Sequence, residues 1–112
     1  MVTSYGSTFD DEITRGDTWS ITVDWQDADD ENYDLAGYTF EYTILDGQVL
    51  VFQADSDGTD GYVSVELTAR QIVVHLPPAI TGDFSATNGT HSLRWSNGAD
   101  EGTLFTGCVA IR

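Results

Sequence analysis

Arg15-Gly16-Asp17-Thr18-Trp19-Ser20-Ile21-Thr22-Val23-Asp24-Trp25-Gln26-Asp27-Ala28-Asp29 is the stretch whose reading decides the fold. Trp19, Ile21, Val23 and Trp25 alternate with Ser20, Thr22, Asp24 and Gln26. A period of two places the four large apolar groups on one side of a strand and the polar groups on the other. Downstream of an acidic connection, Tyr38, Phe40, Tyr42 and Ile44 repeat the pattern. Two such strands joined by a short polar link are expected to pair antiparallel and to share one aromatic, buried face.

Further strands are expected outward from this pair. Phe9 to Thr14 reads as a short edge strand whose Asp10, Asp11 and Glu12 discourage unwanted pairing. Asp46-Gly47 is a hairpin turn signal, with Gln48 to Ala54 as the return strand. Tyr62 to Leu67 alternates again, with Val63, Val65 and Leu67 on one face. Ile72 to Leu76 is a short apolar run halted by Pro77-Pro78. Ala79 to Gly89 reads as loop. Thr90 to Trp95 and Gly102 to Ile111 flank the turn signal Asn97-Gly98. In the last strand Phe105, Val109 and Ile111 share a face, and Gly107 marks a place where two backbones approach closely. About seven to eight short strands without a helix predict an all-β fold, a single antiparallel β-sandwich of the immunoglobulin-like kind. Residues 1–8 are small and polar and read as a flexible N-terminal arm, and residues 9–112 as the sandwich domain.

The length of 112 residues fits one domain, and 40% apolar residues supply a modest core. The apolar runs are strand-sized, so no membrane-spanning helix is expected. Met1 to Gly6 lacks the basic start and apolar stretch of a secretion signal, so folding in the producer's cytoplasm, or a mature fragment, is expected. The single Cys108 has no partner for an internal disulfide and reads as a small buried or half-buried residue of the last strand.

Nineteen Asp and Glu stand against four Arg and no Lys, for a formal net charge of −15. Phosphate binding needs cations, so direct binding of nucleic acid or an anionic membrane is excluded. The charge serves solubility, fits a basic partner or divalent cations, or imitates DNA. Asp55, Asp57 and Asp60 in an acidic, Gly-rich loop are a weak calcium candidate, since their spacing departs from that of a calcium loop. No other cofactor is expected. Arg15-Gly16-Asp17 reads as a turn rather than as an integrin ligand. His75 and His91 lack the companions a zinc site requires. No phosphate-binding Gly-rich loop, Ser-centred elbow or acid–base pair with a pocket is visible, so no catalytic residue is assigned. Tyr5, Tyr33, Tyr62 and Phe84 lie in or beside loops and are candidate anchors of a protein interface. Aligned on one surface, exposed aromatics would instead serve a carbohydrate-binding module.

The run Arg15-Gly16-Asp17-Thr18-Trp19, the alternation to Trp25, Asp27-Ala28-Asp29 and Asp34-Leu35-Ala36-Gly37-Tyr38-Thr39 resemble, in that order, a small β-sandwich family of virion-associated proteins of tailed bacteriophages. Leu67-Thr68-Ala69-Arg70-Gln71 is similar to that family's short Ser/Thr-Ala-x-Gln segment. His91 to Trp95 and Gly102 to Ile111 look like its closing hairpin. The resemblance spans Thr14 to Ile111, with Asp29-Asp30-Glu31 where the family commonly has Gly. It implies a non-enzymatic accessory structural protein of the virion, made in the host cytoplasm. A capsid decoration, or cement, protein bridging capsomers is the first expectation, and a neck, tail or baseplate component the alternative. The implied partners are other virion proteins, foremost the major capsid protein, with a homo-oligomeric arrangement in the assembly. A carbohydrate-binding module and an acidic DNA-mimic inhibitor are the competing classes.

Overall fold

A computed structural model describes residues 7–26, 31–58 and 61–112. Its strands are β1 (Ser7–Thr8), β2 (Asp11–Ile13), β3 (Trp19–Val23), β4 (Thr39–Asp46), β5 (Val49–Asp55), β6 (Val63–Glu66), β7 (Gln71–Leu76), β8 (Asn88–Ser96) and β9 (Glu101–Ile111). One helical turn, α1 (Pro78–Thr81), lies between β7 and β8.

Two sheets form the expected sandwich. The larger runs β1-β9-β8-β4-β5, with β2 also against β9, and the smaller runs β3-β7-β6. From β3 onward the chain passes between the sheets in the Greek-key manner of immunoglobulin-like folds. The pairing is antiparallel except at one edge, where β1 and β2 lie parallel to β9. Ser7 and Thr8 thus belong to the sheet, opposite Phe105 and Thr106.

The expected pairing of the two aromatic strands is corrected. β3 pairs with β7, while β4 pairs with β5 and β8. Their aromatic faces meet across the sandwich instead. Trp19 stacks on Tyr42 at 5.6 Å between centroids, and Trp25 meets Tyr38 edge-on at 5.1 Å and stacks on Trp95 at 5.3 Å. Both geometries are favoured between aromatic rings. Trp19, Ile21, Val23 and Trp25 are all buried, as are Phe40, Tyr42 and Ile44. The alternation therefore assigns the faces correctly but not the neighbours.

Turns are set by local chemistry. The β4–β5 hairpin closes over Gly47-Gln48, one residue later than expected, because Asp46 pairs with Val49. Gly47 has φ 62° while Gln48 keeps negative φ, which is the pattern of a turn with Gly at its first central position. Asn97 to Asp100 form a four-residue connection rather than a tight two-residue one, with the Asn97 carboxamide accepting from the Ala99 and Asp100 amides. A bulge opposite Leu93 and Arg94 leaves Leu104 and Phe105 both buried although they are adjacent. The segment expected to be loop after Pro77 contains α1, too short to show any helical period. Leu67, expected on the core face, is exposed in the turn between β6 and β7.

Candidate functional site

The polar groups that invite a chemical role are hydrogen-bonded within the fold. Asp24 is buried, and its Oδ1 accepts from Asn32 Nδ2 at 3.0 Å and Gln71 Nε2 at 2.9 Å. Charge-assisted hydrogen bonds of this kind offset the cost of burying a carboxylate, and they tie the segment after β3 to β7. The Arg15 guanidinium donates to the carbonyls of Phe84, at 2.6 Å, and Ala86. Thr81 Oγ1 accepts from the Gly16 amide and donates to the Asp17 carbonyl. All three residues of Arg15-Gly16-Asp17 are thus held against the segment around α1, as a turn requires. His91 is sealed in the core, where its Nδ1 meets Tyr42 Oη at 2.7 Å and its Nε2 the Phe9 carbonyl at 2.6 Å.

Asp55 ends β5, and Asp57 lies in the turn that follows. Asp60 falls outside the described residues. Asp55 and Asp57 line a cavity of about 160 Å³ with Glu41, Arg94 and Trp95. Among the described residues no group of three or more His, Cys, Asp or Glu is placed to hold a metal ion.

The proposed aromatic anchors separate. Tyr5 lies outside the described residues. Tyr33 is 41% exposed, with its ring against Trp25 at 4.8 Å. Tyr62 is half-buried beside Phe52 at 5.8 Å. Phe84 is corrected from surface anchor to core residue. It is buried, with Phe52 at 5.9 Å, because the Arg15 bond to its carbonyl draws that segment onto the sandwich. Cys108, expected to be at least half-buried, is exposed, because Val109 and Ile111 take the inward positions of β9.

The exposed apolar surface lies elsewhere. Leu45, Val49 and Leu50 are exposed around the β4–β5 hairpin, Val49 by 68% and Leu50 by 54%. β5 is also the outer strand of the larger sheet, with β4 as its one partner among the described residues. Its first six residues, Val49-Leu50-Val51-Phe52-Gln53-Ala54, carry no charge, Pro or Gly. Sheet edges are usually guarded by such residues, and unguarded β-prone segments of this length invite pairing. Val51 sits at a bulge against β4, which leaves Phe52 to Asp55 as the regular part of the edge. At the start of β5, along Val49 to Val51, runs a groove of about 210 Å³ lined also by Asp46, Asp83 and Phe84, among others. In the sequence these β5 residues read only as the return strand of a hairpin, with nothing to mark them as exposed.

No helix among the described residues is long and apolar enough to cross a membrane. No protein-family model and no curated protein sequence matches the chain. Among solved structures its fold is similar to that of the "N-terminal domain of phage TP901-1 ORF48", with a TM-score of 0.56 over 99% of both chains and 10% sequence identity. At that identity the likeness is one of architecture: this sandwich has the fold of a phage protein domain from end to end.

Proposed function

We propose that the chain is a non-enzymatic accessory structural protein of a tailed-phage virion, and within it a capsid decoration protein that bridges capsomers. The observation that carries this reading is the full-length fold likeness to a phage protein domain. Three features of the molecule support it. The buried Asp24 and His91 and the half-buried Arg15 are each engaged in holding the fold together. The surface offers an unguarded sheet edge with exposed Val49 and Leu50, which suits docking by strand addition. The net charge of −15 keeps free copies apart before assembly. The partner on this reading is the major capsid protein.

Antibody-gold labelling of purified particles from the producing lysate tests it by electron microscopy. Gold distributed over the head is the expected result. Gold at the neck, tail or baseplate would move the protein to the tail machinery. Unlabelled particles, with the protein abundant in the infected cell, would overturn the structural reading.

A further inference from the structure

We propose that the β5 edge and the groove beside it receive an extended, cationic segment of a partner protein, paired as an added strand along Phe52 to Asp55. The inference rests on the virion reading only for the partner's source. Its chemistry follows from the surface itself. The outer side of β5 has no pairing strand among the described residues, so its backbone donors and acceptors stand ready for one. Val49 and Leu50 supply exposed apolar contact beside the groove.

Charge then selects among possible occupants. The groove lining includes Asp46 and Asp83 and no cation, and Asp55 closes the far end of the strand. Arg15, which reaches the segment lining the groove, has its guanidinium turned to the Phe84 and Ala86 carbonyls. A second copy of this chain would bring another formal charge of −15 to the same edge, and its approach is opposed electrostatically. A segment that alternates apolar residues with Lys or Arg meets both requirements. Its apolar side chains cover Val49 and Leu50, and its cations face Asp46, Asp55 and Asp83. The same charge that leaves the edge open to a cationic strand protects it from self-pairing.

The probe is a synthetic peptide, Lys-Val-Thr-Val-Lys-Val-Thr-Val-Lys, with a twin carrying Glu at the three Lys positions. Each is titrated into the ¹⁵N-labelled full chain and followed by amide chemical shifts. The cationic peptide is expected to move amides of β5 and of residues 83–86. Its affinity should fall about tenfold or more between low and high salt, since exposed charge pairs are screened. The twin should not bind at the same concentration. Val49→Lys with Leu50→Lys should abolish binding, and an unchanged circular dichroism spectrum and melting temperature would show that the fold is kept. Four outcomes would each overturn the inference: no shifts at millimolar peptide, shifts confined to β3, β6 or β9, equal binding of the twin, or dimerisation of the free chain through β5 at low salt. Gold-labelled particles together with any of these would leave the virion role standing and remove only this docking mode.

Discussion

His91 is an imidazole with no exposed surface, and its environment fixes its protonation. The Phe9 carbonyl can only accept, so Nε2 carries the proton and Nδ1 accepts from the Tyr42 hydroxyl. Burial lowers its pKa from the ordinary 6.5, partly opposed by the Phe9 carbonyl and the carboxylates of Asp11 and Asp10. Tyr42, buried beside it, is pushed well above its usual value by desolvation and by Asp11. The unfolded ring binds a proton near pH 6.5, whereas the native ring stays neutral to lower pH. Stability from this group is therefore complete above pH 6.5 and lost as the pH falls toward the native value, by at most about 1.4 kcal/mol per pH unit. NMR titration should place the His91 midpoint below 6.5, and urea midpoints should fall between pH 7.5 and 5.5. A native midpoint above 6.5 would contradict this account.

Gly107 is where the N-terminal strand meets the sheet. A Cβ at this position would lie 2.0 Å from the Phe9 carbonyl oxygen and 2.8 Å from Asp10 Oδ1, which accepts from the Cys108 amide. Gly107→Ala should force β1 and β2 off β9, with a cost of about 1–3 kcal/mol. Amide exchange should speed up at Phe9 and Cys108 while β3 and β7 keep their protection, and unchanged exchange at both would show that the backbone yields without releasing the strand. The close approach at Gly107 is legible in the sequence, as is the alternation of Trp19 to Val23 and of Phe40 to Ile44. Periodicity reports which way a side chain faces and says nothing about which strand lies alongside. That is why β3 and β4 look like neighbours and are instead opposite walls of one core. The parallel seat of β2 is hidden for another reason. Asp10, Asp11 and Glu12 look like solvated guards, yet Asp11 Oδ2 accepts from Trp19 Nε1 at 3.1 Å and Asp10 holds the Cys108 amide. The candidate site is the least legible part, because Val49 and Leu50 differ from core residues only in what fails to cover them.

Over the whole molecule, carboxylates outnumber cations so strongly that the fold, with extents of 39 × 27 × 24 Å, compresses a net charge of −15. Self-repulsion opposes the compact state more than the expanded chain, and salt screens it over roughly 8 Å at physiological ionic strength. The melting temperature at pH 7.5 should rise as sodium chloride increases from about 20 to 500 mM. A flat or falling profile would mean that local ion pairs, such as Glu12 with Arg112 at 2.9 Å, outweigh the global field. The seating of β1 and β2 on β9 has a consequence for how the molecule is made. Asp10 and Cys108 are 98 residues apart in the chain yet share a hydrogen bond. At about 5–20 residues per second, the ribosome releases residues 7–13 some 5 to 20 s before the strand that receives them. During that interval Ile13, fully buried in the finished fold, has no place to go. The strands of the smaller sheet are all made before β9, whereas β1 and β2 can be seated only once β9 has followed them.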